Sequence, residues 1–195
     1  MLNKTPMALV LLRFLLAPLV LALYFYEATP TSYLVVLTLA FFSDVFDGII
    51  ARRLGVATER LRSMDSLADA SFYIAIVTVA YLQYPAVIAQ YAWSLSILLS
   101  LELFRYLYDL KKYEKSADYH MYSAKLWGVF LFLGFGQLLG FEQSGLFFEL
   151  AIYIGIATNI EGLLASWILP KWQCDVPSLL HAFGLRMQQS FVHEG

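Results

Sequence analysis

Apolar residues come in long blocks along this chain, and polar residues collect between the blocks. A helix needs about 20 apolar residues to cross a bilayer. Six blocks meet that length, at about 7–26, 32–51, 65–83, 86–108, 121–140 and 145–169. Helix-breaking or polar stretches separate them: Thr29-Pro30-Thr31, Tyr84-Pro85, the charged run 109–118, and 141–144. Pro170 stands just past the last block, where it cannot continue a helix. The pattern predicts an all-α integral membrane protein with six transmembrane helices over residues 1–169, followed by a cytoplasmic tail over 170–195. The first block is long for the apolar core of a signal peptide and shows no convincing small-x-small cleavage site, so it is read as a membrane helix.

Composition agrees with the pattern. Of 195 residues, 60% are hydrophobic and 14% charged, with a mean hydropathy of +0.65. A soluble domain usually carries about 25% charged residues, so the expected solvent is lipid. There is room for short loops but not for a second domain. A net charge of −2 gives no reason to expect nucleic acid as a partner. The single cysteine, Cys174, excludes an internal disulfide and a multi-cysteine metal site.

The placement of charge says more than its sum. The thirteen Lys and Arg residues fall in four groups: Lys4 and Arg13, Arg52 to Arg62, Arg105 to Lys125, and Lys171 and Arg186. With six spans, every group lies on one side of the membrane. The other side keeps only Glu27, Glu142 and Glu149. Cytoplasmic loops collect Lys and Arg, so both termini are expected in the cytoplasm, at the cell membrane.

One stretch, SDVFDGIIARRLGVATERLRSMDSLADA (43–70), holds four aspartates in otherwise apolar surroundings. A carboxylate within a bilayer costs about 2.5–3.5 kcal/mol on insertion scales. Asp44, Asp47, Gly48 and Ala51 are spaced to share one helical face, as are Asp65 and Asp69. A short connection joins the two helices, so the four acids should converge just below the cytoplasmic surface. Converging carboxylates repel unless cations intervene. Oxygen-only ligands suit Mg²⁺ or Mn²⁺, and two such ions can clamp phosphoryl oxygens during in-line displacement. Gly48 would admit a substrate close to the backbone, and Arg52 and Arg53 supply positive charge for phosphates. Plainer readings stand beside these. Asp65 alone could cap the third helix, and Arg52, Arg53, Arg60 and Arg62 could act only as topology signals.

These residues resemble the signature of the CDP-alcohol phosphatidyltransferase family, D-x-x-D-G-x-x-A-R followed by G-x-x-x-D-x-x-x-D. Here it reads Asp44-x-x-Asp47-Gly48-x-x-Ala51-Arg52, eight residues, Leu61, then Asp65 and Asp69. Leu61 departs from the pattern, which has glycine there, against the nucleotide. Arg13 and Pro18 add a likeness to the R-x-x-x-x-P of family members. The resemblance implies transfer of a phosphatidyl group from CDP-diacylglycerol to an alcohol, with release of CMP. It implies metal ligation by Asp44, Asp47 and Asp65, with Asp69 as general base and also counted among the metal-site acids. Gly48, Ala51 and Arg52 would line the nucleotide pocket, and a homodimer is expected.

A phosphorylated acceptor, such as glycerol 3-phosphate or inositol phosphate, would need a second anion pocket. Arg13, Arg105 and Lys125 are its candidates, with His120, Tyr122 and Ser123 near Lys125 in sequence. Against this, Arg105 could pair with Glu102 three residues before it, and Lys125 could snorkel to the surface. Glu161, inside the last apolar block, should have a partner on a neighbouring helix. Two other functions fit acids on membrane helices. One is an intramembrane Mg²⁺-dependent prenyltransferase, whose motifs usually lie further apart. The other is a divalent-cation transporter, which would need polar groups continuing to the far face.

Overall fold

A computed structural model describes residues 5–56, 58–115, 117, 119 and 121–193, with the side chains of 59, 60 and 188–193 left aside. His120 lies outside the described residues. The elements are α1 (Thr5–Phe25), α2 (Pro30–Leu54), α3 (Glu59–Gln83), α4 (Pro85–Gln90), α5 (Ala92–Tyr113), α6 (Tyr122–Phe135) with a π-helical continuation (Gly136–Gly140), α7 (Leu146–Ile168) and α8 (Leu179–His193). No strand occurs among the described residues.

Five helical segments are long and apolar enough to cross a membrane: Thr5–Phe25, Pro30–Leu54, Leu61–Gln83, Tyr122–Gly140 and Leu146–Ile168. Large apolar side chains such as Leu15, Ile74 and Trp167 stand exposed on them, as lipid-facing positions do. The span expected at about 86–108 is different. It is split at Tyr91 into short α4 and longer α5. The 22 residues of α5 would reach about 33 Å, but they carry Glu102, Arg105, Asp109, Lys111 and Lys112. Length alone does not make this helix apolar.

Local chemistry explains the turn that matters most. Helix α2 starts after Thr29 with Pro30 in its first turn, where a missing N–H costs nothing. It ends at Gly55, in the left-handed conformation (φ 64°). The Gly55 N–H donates to the Arg52 carbonyl at 3.3 Å and the Val56 N–H to the Ala51 carbonyl at 3.0 Å. This double closure is a Schellman motif. Helix α3 then begins behind Thr58, whose Oγ1 accepts from the Leu61 N–H at 3.2 Å. Thr58 therefore caps α3, and Asp65 stands well inside the helix, which removes the capping explanation for that acid.

The chain forms two compact units. The first holds the described residues up to Ala89 together with Phe132–Gly145. In it, α1 packs along both α2 and α3, which touch each other little. The buried face of α1 is Pro6, Val10, Arg13, Leu16, Ala17 and Val20, a three-and-four spacing. The matching stripe of α3 includes Ala68, Phe72, Ala75, Ile76 and Val79. Gln83 Nε2 donates to Tyr33 Oη at 2.9 Å and ties the ends of α3 and α2. The π-helical turn presses on α2, and a side chain at Gly140 would collide with Leu34.

The second unit holds the described residues of Gln90–Leu131 and those from Leu146 onward. Here α7 packs against α5 and α8. The described residues after Pro170 include α8 and contribute to this unit's packing. Val176 and Ala182 join Tyr119, Met121, Ala165, Ile168 and Leu169 in a small apolar core. Glu161 finds its partner here, accepting from the Leu179 N–H at 3.4 Å. That places a carboxylate at the start of α8, where exposed N–H groups favour negative charge.

Candidate active site

Three helices of the first unit supply the site. Helix α2 carries Asp44 and Asp47 three residues apart, on the side that includes buried Ser43 and Ala51. Helix α3 carries Asp65 and Asp69 on the side that continues into buried Ala68 and Phe72. Helix α1 contributes Arg13, in the middle of its apolar stripe and only 1% exposed.

Arg13 joins all four acids. Its Nη1 donates to Asp44 Oδ1 at 2.9 Å and to Asp69. Its Nη2 donates to Asp47 and to Asp65. The acids differ in exposure. The Asp47 side chain is nearly buried (5%), whereas that of Asp44 is almost half exposed (47%). Asp65 and Asp69 lie between these values. The cluster is thus closed at Asp47 and open at Asp44.

Asp44, Asp47 and Asp65 each offer one oxygen, and these oxygens lie within 4.8 Å of one another. Three convergent carboxylate oxygens are the donor set of a hard divalent cation, so the residues fit such an ion. Asp69 is not part of this triad but faces it through Arg13. The geometry therefore groups three of the four acids and joins the fourth to them through Arg13.

The remaining sequence-derived candidates are distributed as follows. Ala51 is buried and Arg52 exposed. The Arg52 guanidinium folds back over Gly48, where a Cβ would stand 3.4 Å from its Nη1. Leu61 is half-buried in the first turn of α3. Arg13, read from sequence as a candidate for the acceptor, faces the acids. Arg105 and Lys125 belong to the second unit. Arg105 lies against Gly162, at 3.0 Å from where a Cβ would be. Its Nε is buried with no hydrogen-bond partner among the described residues. No ion pair within 4.0 Å joins it to Glu102 among the described residues, although Glu102 is within its electrostatic reach. Lys125 is exposed, its Nζ 5.4 Å from the Tyr122 ring centre.

Two features were not anticipated from the sequence. Tyr73, one turn beyond Asp69, lies in the electrostatic field of Asp69 and Asp44; its i+4 spacing was the available signal. In the second unit, Asp109 is 1% exposed and accepts from Ser166 Oγ at 2.5 Å. The Tyr119 hydroxyl shares a 2.9 Å hydrogen bond with Ser166 Oγ, and the Tyr113 hydroxyl donates to the Ser166 and Leu169 carbonyls. Sequence alone read Asp109 as the start of a charged loop.

Comparison with known proteins bears on this cluster. Searches of the curated proteins and of the solved structures return no match. The family model for CDP-alcohol phosphatidyltransferase matches residues 3–161, a span that includes every aspartate of the cluster and Arg13. That family consists of phosphotransferases that typically use a divalent metal. With most of the chain matched and the acids of its signature brought together from two helices around Arg13 of a third, the protein belongs to the CDP-alcohol phosphatidyltransferase family.

Proposed function

We propose that the protein takes the phosphatidyl group from CDP-diacylglycerol and transfers it to a small alcohol, releasing CMP. The observation that carries this reading is the division among the acids, three in a metal-compatible triad and Asp69 beside it. Two divalent ions, Mg²⁺ or Mn²⁺, held at Asp44, Asp47 and Asp65 would neutralise the diphosphate and stabilise charge on the transferring phosphoryl group. Asp69 accepts the proton of the acceptor hydroxyl as its oxygen bonds to phosphorus, while the bond from phosphorus to the CMP oxygen breaks. Gly48, Ala51 and Arg52 hold the nucleotide, with Arg52 supplying positive charge at an exposed position.

A phosphorylated acceptor, glycerol 3-phosphate or inositol phosphate, is the favoured substrate class. The candidates for holding its phosphate are Arg13 in the first unit and Arg105 and Lys125 in the second, each taken separately; the Arg105 Nε–H is buried with no hydrogen-bond partner among the described residues. We also read α4–α5 as the sixth span, with both termini and the site facing the cytoplasm at the cell membrane, and the enzyme as a homodimer. The prenyltransferase and transporter alternatives fall away with membership of the family.

The test is CMP release by purified protein with CDP-diacylglycerol, Mg²⁺ or Mn²⁺, and a panel of glycerol 3-phosphate, inositol phosphate, inositol and serine. Acceptor-dependent release that Asp69→Asn abolishes supports the assignment and identifies the alcohol. Absence of release with every acceptor, from folded protein, sinks it.

A further inference from the structure

We infer that Arg13 is a built-in counter-ion of the aspartate cluster and that it limits how tightly the cluster takes up divalent metal. The inference rests on the metal-dependent reading above and adds a role for a residue outside the acid motif.

Four facts converge on it. Arg13 interrupts the apolar stripe of α1, where burial of an unpaired charge would be strongly destabilising. Its two terminal nitrogens carry four N–H donors, and they meet four different carboxylates from two other helices. The fifth donor, Nε, is buried and has no partner among the described residues, so the guanidinium is aimed wholly at the acids. Finally, three of the oxygens it contacts belong to the acids of the metal-compatible triad.

Charge decides the consequence. Taken by themselves, four carboxylates and the Arg13 guanidinium carry three net negative charges. One divalent ion leaves one negative charge, and a second turns the cluster positive by one. Without the arginine, two divalent ions would bring the acids to neutrality. Arg13 therefore opposes metal loading by direct repulsion and by occupying carboxylate oxygens. The same arginine keeps the four acids together when no ion is bound. With both ions in place, its surplus charge favours an anionic diphosphate. Over a few ångströms in a partly buried site, a unit charge repels a divalent ion strongly. A change of at least tenfold in affinity is a modest share of that repulsion.

The test uses Mn²⁺ alone as probe, with the full-length protein in detergent, and follows free Mn²⁺ by electron paramagnetic resonance. Arg13→Gln is expected to bind Mn²⁺ at least about tenfold more tightly than wild type, whereas Arg13→Lys stays within about threefold. In chelator, Arg13→Gln should melt below wild type, and added Mn²⁺ should raise its melting temperature by more than it raises that of wild type. If Arg13→Gln does not fold alone, the same substitution is made in an Asp69→Asn background, where the charges are closer to balance. Its Mn²⁺ affinity is then compared with that of Asp69→Asn. Unchanged or weaker Mn²⁺ binding on loss of the arginine overturns the inference, because it would mean that Arg13 only organises the acids. Absence of Mn²⁺ binding in wild type and every variant overturns the metal reading and this inference together, an outcome distinct from binding without tightening.

Discussion

The molecule buries acids in two places, and it treats them in opposite ways. In the second unit, Asp109 receives the Ser166 hydroxyl, with Tyr119 behind it. In the first unit, Asp47 is also buried but sits with three other acids around one guanidinium. A single acid met by hydroxyl donors is a settled structural bond. Four acids gathered on one guanidinium concentrate negative charge in a small volume, which a stable core has no use for. The contrast separates an acid placed to tie helices together from acids whose oxygens fit the proposed metal site.

Substitutions can break this contrast or sharpen it. The largest effect is expected at Asp69. Asp69→Asn should lower CMP release by about a hundredfold or more, the usual range for loss of a general base, while its melting temperature stays at or above that of wild type because a like charge has been removed. Chelation comes next. Excess EDTA should remove activity, Mn²⁺ or Mg²⁺ should restore it, and Asp47→Asn should need a higher metal concentration for half-maximal rate, measured by metal titration of CMP release.

Asp109 should behave the other way. Asp109→Ala leaves the Ser166 hydroxyl short of its acceptor, which costs about 1–3 kcal/mol. Thermal melting should show that loss, while the metal concentration for half-maximal activity stays unchanged. If that concentration moves instead, the structural reading of Asp109 fails. The smallest effect belongs to Gly55. Gly55→Ala forces a Cβ into the left-handed cap at φ 64°, at a cost of about 1 kcal/mol. It should lower the melting temperature slightly and leave metal affinity alone, since the cap orders the connection between α2 and α3 rather than the carboxylates.

Much of the site was legible in the order of residues. The spacing of Asp44, Asp47, Asp65 and Asp69 is a statement about helical faces, and helices of this length were forced by the apolar blocks. The turn between them was also written locally, in Gly55 and Thr58. The start of α3 was misjudged because residues 59–64 are too polar to look like a span, yet Thr58 lets the helix begin before the apolar block does. The break at Tyr91 and the polar character of α5 were hidden by reading length without weighing its charges.

By itself, the sequence determined an all-helical chain built around membrane-length apolar segments, the two pairs of acids, and the family signature they compose. These are properties of short range, set by helical periodicity and by residues within one turn of each other. Only the tertiary structure decided that α1 packs along both α2 and α3, and so that Arg13 reaches all four acids. It likewise decided that Asp109 is buried against Ser166 and that Glu161 meets the start of α8. Those contacts join residues 18 to 57 positions apart. Which of many apolar faces meet is settled by packing of the whole core, and no local pattern encodes it.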